Sequence, residues 1–77
     1  MPVDAIVRVS FQSNNAAHKA AYQALVGSGP FTKTNTAVYA CDQKPDADVA
    51  SALAGLGQAL ITYATDVDFV SITLVRR

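Results

Sequence analysis

The chain opens and closes on strand-like runs, and this placement constrains its fold more than any other feature. Val3, Ala5, Val7, Val9 and Phe11 alternate with Ile6, Arg8, Ser10 and Gln12. A period of two marks a strand with one buried face and one more polar face. The run from Asp68 to Arg77 has the same strand character. Two helix-like stretches and further strand pattern lie between these ends. The ends are therefore expected to pair with the middle in one compact α+β domain.

Ser13-Asn14-Asn15 supplies turn formers and an N-cap for a helix predicted over about 15–26. Ala17, Ala21, Leu25 and Tyr22 would face the sheet. The helix should stop at Gly27-Ser28-Gly29-Pro30, where glycine admits a left-handed cap and proline prevents continuation. Phe31 to Asp42 divides best into two strands, Phe31–Thr34 and Thr36–Cys41, turning near Asn35. A single bent strand is the alternative, because no hairpin dipeptide marks the turn. Gln43 to Asp48 is a turn and helix start, with Asp46 or Asp48 capping free N–H groups. A second helix, about 47–64, carries the stripe Val49, Leu53, Leu56, Leu60 and then Tyr63 or Ala64. Gly55 and Gly57 each cost it about 1 kcal/mol relative to alanine, and either permit close packing or simply loosen it. Strand, helix, strand, strand, helix, strand is the ferredoxin-like βαββαβ plan, an antiparallel sheet with both helices on one face.

Seventy-seven residues make one domain, spanning residues 1–77. A chain this short buries only about 60% of its unfolded surface, so its stability margin is thin and dimerisation is a natural supplement. Six Lys or Arg balance six Asp, with no Glu, and no basic stripe appears. That argues against tight, phosphate-driven binding of nucleic acid and leaves room only for a local patch. The single Cys41 excludes an intrachain disulfide and reads as a buried, reduced thiol in a cytoplasmic protein. No secretory pattern is present, and no apolar run approaches the roughly 18 residues of a membrane span.

No motif establishes an activity. Gly27 to Thr34 resembles a P-loop, but Thr32 stands where its second glycine belongs. The segment also follows a helix and enters a strand, the reverse of the P-loop setting. His18, the sole histidine, has alanines and Lys19 around it and is expected to face solvent. Asp46/Asp48 and Asp66/Asp68 form Asp-x-Asp pairs able to hold Mg²⁺ only with further ligands. Their positions assign them to a helix start and a turn; Asp4 and Asp42 carry no special signal. Arg8, Arg76 and Arg77 could make a modest cationic spot. No cofactor and no metal is implied.

Taken whole, the chain resembles the small CRISPR-associated endonuclease of the spacer-acquisition complex and its relatives, the VapD-type toxin ribonucleases. The matching pieces are Val9-Ser10-Phe11-Gln12, Leu25-Val26-Gly27-Ser28-Gly29, Thr36-Ala37-Val38-Tyr39, Leu53 to Leu60, and Asp68-Phe69-Val70-Ser71-Ile72. The resemblance implies a ferredoxin-like symmetric dimer in which a first-strand aspartate binds metal. Gln12 aligns with that aspartate and cannot supply its charge, so cleavage by that route should be absent. The strand pattern is also expected to close with Asp68 to Arg77, without the extra strand that many family members carry.

The first expectation is therefore a non-catalytic interaction module, a homodimer or the partner of another protein. A small ribonuclease or deoxyribonuclease is the second, with Ser10, Gln12 and Ser13 at the strand exit and Arg8 or Arg76 on the phosphate. The third is a regulatory domain binding a small ligand, a class to which fold gives little guide.

Overall fold

The computed structural model describes residues 2–12 and 15–76. Strand β1 (Pro2–Phe11) leads to helix α1 (Asn15–Tyr22), which widens into a π-helical turn over Gln23–Gly27. Strands β2 (Thr32–Asn35) and β3 (Val38–Pro45) form a hairpin, helix α2 (Asp46–Thr62) follows, and a 3₁₀ turn (Ala64–Asp66) delivers β4 (Val67–Arg76). The middle of the chain is thus two strands. The sheet is antiparallel throughout, in the order β2-β3-β1-β4. β1 and β3 are central, while β2 and β4 form the edges.

Alternation in β1 translates directly into burial. Val3, Ala5, Val7, Val9 and Phe11 are all buried, and Tyr39 and Cys41 of β3 lie opposite Val7 and Ala5 on the same face. Against this face pack Ala17, Ala21 and Leu25 from the first helical segment and Val49, Ala52 and Leu56 from α2. Both helices therefore share one side of the sheet. Tyr22 turns outward, with 44% of its surface exposed.

The α2 stripe is rotated relative to expectation. Val49, Ala52, Leu56 and Ala59 are buried, whereas Leu53 and Leu60 are only half-buried. Small alanines take the centre of the contact because the two helices run close together. Gly55 belongs to that contact: a Cβ there would come within 3.1 Å of the Ala24 Cβ. At Gly57 a Cβ would meet nothing within 4 Å. Gly57→Ala should therefore stabilise the domain by up to about 1 kcal/mol, the helix-propensity difference. Gly55→Ala should gain less or lose stability, and urea midpoints of the two variants would expose equal gains as a contradiction.

The first helical segment ends differently from expectation. None of the described glycines adopts a positive φ. The stop is instead made by the wide turn, in which the Ser28 N–H donates to the Gln23 carbonyl at 2.8 Å and the Phe31 N–H to the Leu25 carbonyl at 2.9 Å. Glycine is needed at 29 for space: a Cβ would lie 2.7 Å from the Leu25 carbonyl oxygen and 2.8 Å from the Ala52 Cβ. Positive φ falls on Ala37 (60°) and Gln43 (49°). Ala37 turns the β2–β3 hairpin, and its carbonyl accepts the Val9 N–H at 3.1 Å. Gln43 sits where the β1–β3 register shifts, and its N–H donates to the Asp4 carboxylate at 2.8 Å. Asp4, unremarkable in the sequence, thus secures a bulge between the central strands.

Cys41 is buried, with its Sγ 3.9 Å from the Val3 carbonyl oxygen. Burial pushes its thiol above the ordinary range, against the opposing pull of a backbone hydrogen bond at Ala5. The folded state thus holds this proton more tightly than the unfolded chain does. The resulting stability is present below the unfolded thiol's value and is lost as pH rises through the folded one. Urea midpoints should decline from about pH 8.5 upward in the wild type and only at higher pH in Cys41→Ala. Superimposable alkaline profiles would contradict this assignment.

Candidate functional site

Two surfaces stand out. The first is an open cleft of about 530 Å³ where the end of β1, α1 and the β2–β3 hairpin meet. Ser10, His18, Lys19, Tyr22, Lys33 and Tyr39 contribute to its lining, and among the described residues no aspartate does. Two of the chain's three lysines therefore face one recess in a protein of zero net charge. Sequence spacing did not join them, since Lys19 belongs to α1 and Lys33 to β2. The Tyr22 and Tyr39 rings stand edge to face at 6.4 Å. Burial, and then the neighbouring Tyr22 phenol, push the Tyr39 hydroxyl above its ordinary range.

His18 is a docked side chain rather than a solvent-facing one. Its Nε2 lies 2.9 Å from the Phe11 carbonyl oxygen, a contact in which the protonated nitrogen donates. Its ring meets the Phe11 ring edge to face at 5.6 Å. Holding the end of β1 against α1 accounts for both contacts.

The residues nominated for cleavage are not gathered around this cleft. Ser10 lines it, while Arg8 is exposed on β1, between Val38 of β3 and Ser71 of β4. Gln12 is exposed, and its backbone N–H donates to the Asp66 carbonyl at 2.6 Å. Ser13 lies outside the described residues, as does Arg77. Among the described residues no three His, Cys or Asp side chains come together as a metal site. Asp46 and Asp48 occupy the first turn of α2, where negative charge favours the helix N-terminus. Asp66 belongs to the 3₁₀ turn, and Asp68 lies where the β1–β4 register shifts.

The second surface is β4. Its partners on β1 place Val70, Ile72 and Leu74 opposite Val9, Val7 and Ala5, on the helix-bearing side of the sheet. Yet these three side chains are 41–53% exposed, because the helices cover β1 and β3 and stop short of the edge. On the other side Phe69 and Val75 are about half exposed. An apolar groove lined by Val49, Ala50, Leu53 and Leu74 runs between α2 and β4. At its end Arg76 reaches to 3.6 Å from the Asp46 carboxylate, and both side chains remain open to water.

No helix among the described residues is long and apolar enough to cross a membrane. No protein-family model, curated protein or solved structure matches the chain.

Proposed function

We propose that this chain is a non-catalytic, ferredoxin-like interaction module that works as a homodimer. The observation that carries the reading is β4, a ten-residue edge strand with apolar side chains exposed on both of its faces. An edge of this kind offers unpaired backbone groups and uncovered apolar surface together, which is the combination that strand addition consumes. The ferredoxin-like assignment is supported by the crossovers: α1 joins β1 to β2 past β3, and α2 joins β3 to β4 past β1. Kinship with the small CRISPR-associated and VapD-type nucleases rests on the residue pattern, in which Gln12 replaces the metal-binding aspartate. A cytoplasmic setting accords with the reduced, buried Cys41.

A dimer that stabilises its protomers unfolds at a temperature that rises with protein concentration. Thermal unfolding followed over a hundredfold range of concentration should therefore show an upward drift of the midpoint. A midpoint independent of concentration would count against pairing.

The cleft supports a second reading, a small ribonuclease, because Ser10, Lys19 and Lys33 all contribute to its lining. Incubation with RNA and DNA in the presence of Mg²⁺ or Mn²⁺ separates the two readings. The interaction module leaves both substrates intact; cleavage lost in Ser10→Ala would favour the nuclease.

A further inference from the structure

The two edges of the sheet are built differently. β2 is four residues long and carries Lys33, a short and charged edge of the kind that resists pairing. β4 runs for ten residues with neither lysine nor proline, and its only charges are Asp68 near one end and Arg76 at the other. That charge pattern is antisymmetric about Ile72. We infer that β4 pairs antiparallel with β4 of a second copy of this chain, with Ile72 on the two-fold axis. The inference rests on the pairing role proposed above and names its partner and register.

A two-fold axis relating adjacent antiparallel strands must stand perpendicular to the sheet. It keeps both helix layers on one side and sets residues of like face opposite one another. Centred on Ile72, Val70 meets Leu74 of the second copy, Phe69 meets Val75, and Ser71 meets Thr73. Asp68, the residue at which β4 bulges against β1, then comes level with Arg76, twice by symmetry. Directly opposed side chains have Cβ atoms about 5 Å apart, close enough for the apolar and opposite-charge pairs to contribute. Every apolar residue between Asp68 and Arg76 finds an apolar partner.

Neighbouring registers lose this match. Centring on Ser71 sets Asp68 against Leu74 and places Arg76 opposite Asp66, which belongs to the 3₁₀ turn and not to the strand. Centring on Thr73 sets Arg76 against Val70 and leaves Asp68 without an opposed residue in the strand. Within its own chain Arg76 already approaches Asp46 at 3.6 Å, but its side chain is 68% exposed and its guanidinium has donors to spare for a second carboxylate. The paired stretch of nine residues would extend for about 30 Å and join two four-stranded sheets into one.

Charge exchange tests the register. Asp68→Arg and Arg76→Asp, made separately, each turn two attractive contacts into repulsive ones and should weaken dimerisation by about thirtyfold. The two changes combined in one chain should restore it. An equimolar mixture of the two single variants should form a heterodimer, since every opposed pair is then complementary. Because both positions are exposed, circular dichroism should show the wild-type spectrum in each variant. A wild-type dimer whose mass is indifferent to either single change would overturn the register while leaving the pairing role standing. A wild type that stays monomeric at every concentration would overturn both.

Discussion

Leu56→Ala should remove about 3 kcal/mol of folding stability, within the range for truncating a buried leucine where the surroundings cannot collapse. Leu56 has no exposed surface and lies in α2 against the buried faces of β1 and the first helical segment. A domain of this size commands only roughly 4–12 kcal/mol in total, so the loss removes a large part of its margin. The neighbouring Leu60, equally prominent in the sequence stripe, is half-buried and should cost only about 1 kcal/mol when truncated. Urea unfolding of the two variants measures the contrast directly. Equal losses would mean that α2 is rotated about its axis, with the alanine positions Ala52 and Ala59 out of the contact.

Ile72→Lys should weaken dimerisation by about a hundredfold or more. Ile72 is 44% exposed in the single chain, so the protomer tolerates a longer polar side chain at that position. In the pair, two isoleucines meet at the axis, and the replacement removes both apolar contributions and sets two ammonium groups face to face. Lysine is also the residue that natural edge strands use to prevent pairing. Thr36→Lys, at the exposed hairpin turn on the opposite edge, should leave association unchanged. Equal weakening by both would point to general charge repulsion instead of a β4 interface.

Local pattern carried much of the architecture. The alternation in β1 was legible because the strand is central and its two faces have distinct environments, so each odd residue is buried. The hairpin was legible only as a division near Asn35, because its positive φ falls on Ala37, a residue type that gives no sign of it. Likewise the close approach of Ala52 to Gly29 joins residues distant in the chain, and the role of Asp4 arises from Gln43. Such contacts follow from packing and leave no local signal.

β4 shows the same limit on a larger scale. Val70, Ile72 and Leu74 have the spacing of a buried face, and alternation alone assigns them to a core. What it does not encode is strand order. Once β4 takes the edge and the helices settle over β1 and β3, that face is left open. The basic cleft was hidden for a related reason: Lys19 and Lys33 come from different elements and converge only when α1 and the hairpin pack together. Of the residues nominated for cleavage, Ser10 was placed in a recess while Arg8 and Gln12 were set outside it.

Pairing through β4 is the central claim, and light-scattering mass measured across a range of concentrations tests it most directly. The account predicts a wild-type mass of twice the 8.1 kDa protomer, falling to the protomer mass in Ile72→Lys. A wild type that scatters as a protomer at every concentration, or an Ile72→Lys variant that stays dimeric, would contradict it.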